Sequence, residues 1–114
     1  MTLIYKIETK ESWDKAKQNG LYEGSKDDQR DGFIHFSSKE TLQGTLDKHF
    51  KDKTNLLLIA VNTKELGQAL KWEPSRGGAL FPHLYAPLPT THILWEKPLQ
   101  QSENGTHTLP IDLQ

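Results

Sequence analysis

An α+β domain, with two main helices flanking a sheet, is the fold class this sequence predicts, and three observations carry it. Residues 55–62, NLLLIAVN, are apolar at every position from 56 to 61, the pattern of a strand covered on both faces. Residues 2–8, TLIYKIE, alternate as a half-buried strand does. Two stretches, 9–20 and 38–50, carry apolar stripes at helical spacing behind capping residues. At 114 residues the chain fits one domain with a single core. Residues 1–97 form that domain, and 98–114 read as its polar C-terminal extension.

Taken in order, the first strand puts Leu3, Tyr5 and Ile7 on one face and Ile4 and Lys6 on the other. The helix over 9–20 takes Thr9 as its N-cap, carries Trp13, Ala16 and Lys17 in one stripe and stops at Gly20. Residues 21–30, LYEGSKDDQR, read as a polar, turn-rich loop. FIHFS, 33–37, is the second strand. Ser37 followed by Glu40 fits a capping box, so a helix is expected immediately after Ser37, with Leu42, Leu46, His49 and Phe50 on one side. NLLLIAVN is expected at the centre of the sheet. Asn62 with Glu65 predicts a capped helical turn over 63–66. Residues 69–73 and 91–96 are further strands, and the prolines at 74, 82, 87 and 89 keep the segment between them partly irregular. The tail, QQSENGTHTLPIDLQ, is polar and expected to be loosely attached.

Composition narrows the function. The absence of cysteine excludes disulfides, thiolate catalysis and thiolate zinc sites, and agrees with a cytoplasmic location. No stretch reads as a signal peptide or approaches the roughly 20 apolar residues of a membrane span. A net charge of −1 leaves no global basic footprint for duplex nucleic acid and favours a small ligand.

Two segments place histidines among apolar residues. In FIHFS, Phe33, His35 and Ser37 share a face, and the helix start expected after Ser37 would offer N–H groups to a phosphate or ribose hydroxyl. The bland alternative is a half-buried histidine bonded to a carbonyl. In SRGGALFPHLY, residues 75–85, Gly77 and Gly78 permit positive φ and close backbone approach. Arg76 offers a fork for phosphate or carboxylate, and His83 and Tyr85 share a face if extended. Here the alternative is a hairpin turn with a surface arginine. The five histidines show no HxH or HExxH spacing, and there is no GxSxG elbow. Trp13, Trp72 and Trp95 are simplest as core or cleft-wall residues.

DGFIHFS and FPHLY, with IYKI near the start and WEPSRGGALFPHLY later, resemble a bacterial family known as domain of unknown function 952, over about residues 3–88. That family is similar to a compact relative of the ADP-ribosyltransferase fold, which includes RNA 2′-phosphotransferases. The resemblance implies a strongly bent, mostly antiparallel mixed sheet whose motifs surround NAD. Tyr5 and Lys6 fall in the first motif, His35, Phe36 and Ser37 in the second, and His83, Leu84 and Tyr85 near the third. Lys6 stands where many relatives carry histidine. No glutamate lies within the third motif, and Glu73 is the nearest substitute.

The leading expectation is an enzyme or sensor for an ADP-ribose-like nucleotide, with NAD as a candidate substrate and no cofactor assigned. Lys6 and Arg76 would meet phosphate or ribose, Ser37 would orient the ligand and Tyr85 would contact it. His35 and His83 would do acid–base work, for which an unperturbed imidazole titrates in the right range. A non-catalytic small-molecule or protein-binding domain, and a metal-dependent hydrolase, stay open as alternatives.

Overall fold

The structure is a computed structural model describing residues 2–114, apart from the Arg76 side chain. Strand β1 (Leu3–Thr9) leads directly into helix α1 (Lys10–Asn19), capped by the Thr9 hydroxyl, which accepts from the Ser12 N–H, and closed by Gly20. A short strand β2 (Leu21–Tyr22) follows, then helix α2 (Lys26–Asp31). The polar loop expected over 21–30 is therefore a capped helix. Ser25 and Asp28 form its reciprocal capping box, with aspartate in the place usually held by glutamate or glutamine.

Strand β3 (Ile34–His35) is shorter than the expected 33–37, and helix α3 (Lys39–His49) begins one residue later than expected. Its cap is Ser38, whose hydroxyl accepts from the Thr41 N–H while the Thr41 hydroxyl accepts from the Ser38 N–H. Ser37 cannot take that role because its backbone exchanges two 2.8 Å hydrogen bonds with Tyr5. Leu42 and Leu46 are buried on α3, whereas His49 is exposed.

Strand β4 (Leu56–Asn62) lies between β1 and β8 (Ile93–Pro98), and Leu56 to Val61 are all buried, as the unbroken apolar run predicted. Asn62 caps the 3-10 turn Thr63–Glu65. Strand β5 (Leu70–Pro74) turns through Gly77 and Gly78, at φ of 78° and 81°, into β6 (Leu80–Leu84). Only a residue without a Cβ occupies that region comfortably. Strand β7 (Leu88–Pro89) pairs with β2. β9 (Gln100–Gln101) and β10 (His107–Thr108) form a hairpin.

Every strand pairing among the described residues is antiparallel, so the expected mixed sheet is corrected. The expected single bent sheet is two three-stranded sheets, β1–β4–β8 and β3–β6–β5, linked by the Tyr5–Ser37 bridge, with β2–β7 and β9–β10 as separate two-stranded ladders. One core joins Ile4, Ile59 and Val61 to Trp13 of α1 and Ile34 and Leu84 of the second sheet. The other packs Tyr5, Ile7 and Leu58 against Leu42 and Leu46 of α3. The tail contributes buried Leu99, His107 and Leu109, and His107 faces the Lys53 carbonyl through Nε2 at 2.7 Å. It is thus packed down, against the loose attachment expected from its polarity. Among the described residues, no helix is long and apolar enough to cross a membrane.

Candidate functional site

The register of the second sheet places His35 opposite His83 and His83 opposite Lys71, so all three share one face. The two imidazole centroids are 5.5 Å apart. Phe33 lies over the pair, stacked on His83 at 4.1 Å and 25° and tilted against His35 at 4.6 Å. Tyr85 completes the cluster, 5.2 Å from Phe33. Each histidine is backed by a carboxylate, in two quite different settings.

Behind His35 stands Asp28, 2% exposed. Its Oδ1 accepts from the His35 backbone N–H at 3.1 Å and lies 2.6 Å from His35 Nδ1. Its Oδ2 accepts from Lys6 Nζ at 2.7 Å and from the Ser25 N–H at 2.9 Å. Burial alone would push this carboxyl up, but the His35 hydrogen bond, the Lys6 ammonium and the Ser25 amide outweigh it and hold it well below the usual carboxylate range. The other imidazole nitrogen of His35 lies 3.1 Å from Asp31 Oδ2. Gly24 leaves room for this hub, since a Cβ there would sit 2.6 Å from that of Asp28.

Lys6 also donates to the His35 carbonyl at 3.0 Å. Two residues along the same face of β1, buried Glu8 accepts from the Tyr22 hydroxyl at 2.6 Å. Burial first, and then the Glu8 carboxylate, push that hydroxyl far up. A polar stripe therefore runs beneath the histidines without reaching solvent.

Behind His83 stands Glu73, whose Oε1 lies 2.8 Å from His83 Nδ1 and accepts from the Tyr85 hydroxyl at 2.7 Å. The Tyr85 bond, and then His83, hold Glu73 below its ordinary value, while the same contact raises Tyr85. With Nδ1 turned to a carboxylate, Nε2 of His83 makes no hydrogen bond among the described residues. Neutral His83 in this arrangement donates to Glu73 and keeps a lone pair on Nε2.

The structure thus brings together His35, His83 and Tyr85 from the residues expected of a site. Lys6 is 6% exposed and held by Asp28 and His35, so it does not present its ammonium to a ligand. Ser37 is buried as well, with its hydroxyl donating to Thr45 Oγ1 at 3.1 Å. The helix terminus expected to offer free N–H groups beside it is occupied by the Ser38 cap. The Arg76 side chain lies outside the described residues. Its backbone is at the tip of the β5–β6 turn, beyond the Pro74–Leu80 rung. That rung is itself three residues, roughly 10 Å, from His83.

Asp28 was absent from the expected site because it lies in the stretch 21–30 that reads as solvated loop, and Asp31 because it precedes the strand read from residue 33. The signal that would have found Asp28 is the Ser25-to-Asp28 spacing of a capping box. Trp13 is fully buried, Trp95 is partly buried against Tyr5, and Trp72 is 43% exposed. No group of three or more histidines and carboxylates suited to a metal occurs among the described residues.

A family described as Protein of unknown function (DUF952) matches residues 7–96. Three solved structures of the protein CC0527 from Caulobacter crescentus are similar along nearly their whole length. The crystal structure is 48% identical, covers 98% of both chains and superposes with a TM-score of 0.94. The crystal structure of a double mutant is 47% identical with the same TM-score. The solution structure is 50% identical over 93% of this chain and 91% of that one, with a TM-score of 0.83. No curated protein matches.

Proposed function

The chain belongs to that family of unknown function, DUF952, and from the site itself we propose that it binds and processes a phosphorylated, ribose-bearing small molecule of the NAD or ADP-ribose type. The observation that carries this reading is His83, oriented by Glu73 through Nδ1 and unengaged at Nε2, under an aromatic ring and beside a second histidine. Such an imidazole takes a proton from an attacking hydroxyl at Nε2 and later returns it, while the carboxylate holds the tautomer. Phe33 and Tyr85 supply the stacking surface that a base or ribose face requires. The order of the three motif segments, similar to that of compact ADP-ribosyltransferases, supports the same ligand class by analogy. The absence of cysteine suits work in the cytoplasm.

A second reading, binding without turnover, is favoured by His35, whose two ring nitrogens both face carboxylates. The test is a thermal-shift series with NAD, ADP-ribose and adenosine 2′-phosphate, paired with release of nicotinamide or phosphate. At least one ligand should raise the melting temperature, and His83→Asn should abolish the rise. Release of product marks an enzyme, and a shift without release marks a binding module. If millimolar ligand leaves the melting temperature unmoved, or His83→Asn keeps the full shift, the assignment fails.

A further inference from the structure

A groove of about 410 Å³ opens beside the histidine face and shares two of its walls, Phe33 and Tyr85. Among the described residues its polar lining comes from Glu23 and Gln29, with no lysine or arginine. Glu23 is exposed and has no hydrogen bond or ion pair among the described residues. Gln29 donates one amide N–H to the Gly24 carbonyl at 3.4 Å, which leaves its oxygen and its second N–H without a partner among the described residues. The groove therefore sets one unpaired carboxylate and one amide beside aromatic rings. A slot of this kind suits a flat ring carrying N–H donors, and its uncompensated carboxylate repels phosphate.

The sheet face carries both a cation, Lys71, and a carboxylate, Glu73, whose Oε1 is held by His83 and Tyr85. Lys71 is exposed and lies directly across from His83 in the β5–β6 register. Among the described side chains on that face it is the one exposed lysine or arginine, Lys6 being buried against Asp28. Tyr85, just past the end of β6, lies two residues, roughly 7 Å, from His83, about the reach of a ribose.

We propose that a nucleotide lies across this face in one sense only, with its amino-bearing base in the Glu23–Gln29 groove and its phosphate against Lys71. This rests on the ligand class argued above and adds the polarity of binding and the two residues that set it. His83 Nε2 then falls beside the sugar, between the two ends.

The test uses the full chain with three probes, adenosine, inorganic pyrophosphate and ADP-ribose, followed by calorimetry and amide chemical shifts. Glu23→Gln should weaken adenosine about tenfold and leave pyrophosphate unchanged, as loss of a charge-assisted hydrogen bond would. Lys71→Gln should weaken pyrophosphate by a similar factor and leave adenosine unchanged. ADP-ribose should suffer from both. Adenosine binding that ignores Glu23→Gln, or fails to shift Phe33 and Ala86, overturns the groove assignment. Pyrophosphate binding that ignores Lys71→Gln overturns the phosphate end. If ADP-ribose binds, depends on His83 and ignores both variants, the polarity alone is wrong. If none of the three probes binds at millimolar concentration, the ligand class falls too.

Discussion

Asp28 and Glu73 perform the same act on either side of the histidine pair, each turning a carboxylate oxygen toward an imidazole Nδ1. They differ in everything around that contact. Asp28 is 2% exposed and spends both oxygens on four groups from β1, α2 and β3. Glu73 has a side chain 37% exposed and two partners, His83 on β6 and Tyr85 just past its end. A carboxylate buried with a lysine cannot be removed without stranding the lysine, so Asp28 belongs to the architecture of the domain. A carboxylate open to water can be lost with little effect on folding, so the domain does not depend on Glu73.

The largest effect expected from this contrast is that of Asp28→Ala. It leaves the buried Lys6 ammonium without a counter-charge and should cost about 3–5 kcal/mol, read as a fall in the urea midpoint. A loss as small as that of a surface variant would erase the distinction between the two corners.

Next comes the response to acid. The Asp28 carboxyl titrates lower in the folded chain than in the unfolded one, where an aspartate sits near about 4. On acidification the unfolded chain therefore takes up the proton first. The stabilisation is complete above about pH 5 and is lost as pH falls further. Glu73 is shifted in the same direction but is screened by solvent. Urea midpoints followed from pH 6 to 3 should fall steeply in the wild type, less steeply in Asp28→Asn, and unaltered in slope in Glu73→Gln.

His83→Asn should cost about 1–2 kcal/mol, since it removes one part-buried hydrogen bond and the stacking of Phe33. The smallest effect on stability is expected from Glu73→Gln, with an unmoved urea midpoint and a lost ligand-induced thermal shift. A Glu73→Gln protein that unfolds readily and still binds would reverse the roles assigned to the two carboxylates.

Much of the frame was legible in residue order. The apolar run from Leu56 to Val61, the Thr9 cap and the Gly20 stop of α1 are local patterns, and each produced its element. The histidine pair was legible too, because an imidazole is conspicuous among Phe33, Ile34 and Phe36 or beside Phe81 and Pro82. The start of α3 was misplaced by one residue because Ser37 and Ser38 are equally good caps locally. The choice between them is made by Tyr5, whose backbone claims Ser37. Lys6 read as a ligand contact because its partner, Asp28, lies 22 residues away in a stretch indistinguishable from a solvated loop.

The sequence by itself determined the class of the fold, the central strand and the two segments that meet in the site, since hydrophobic periodicity and capping act within a few residues of themselves. Only the tertiary structure decided which charged groups are spent and which are available. Whether Lys6, Asp28, Lys71 or Glu73 meets a partner or meets water depends on what the fold sets opposite it. A charged side chain carries no local mark of its eventual partner, because the Coulomb and desolvation energies that fix its role arise only once the chain has closed around it.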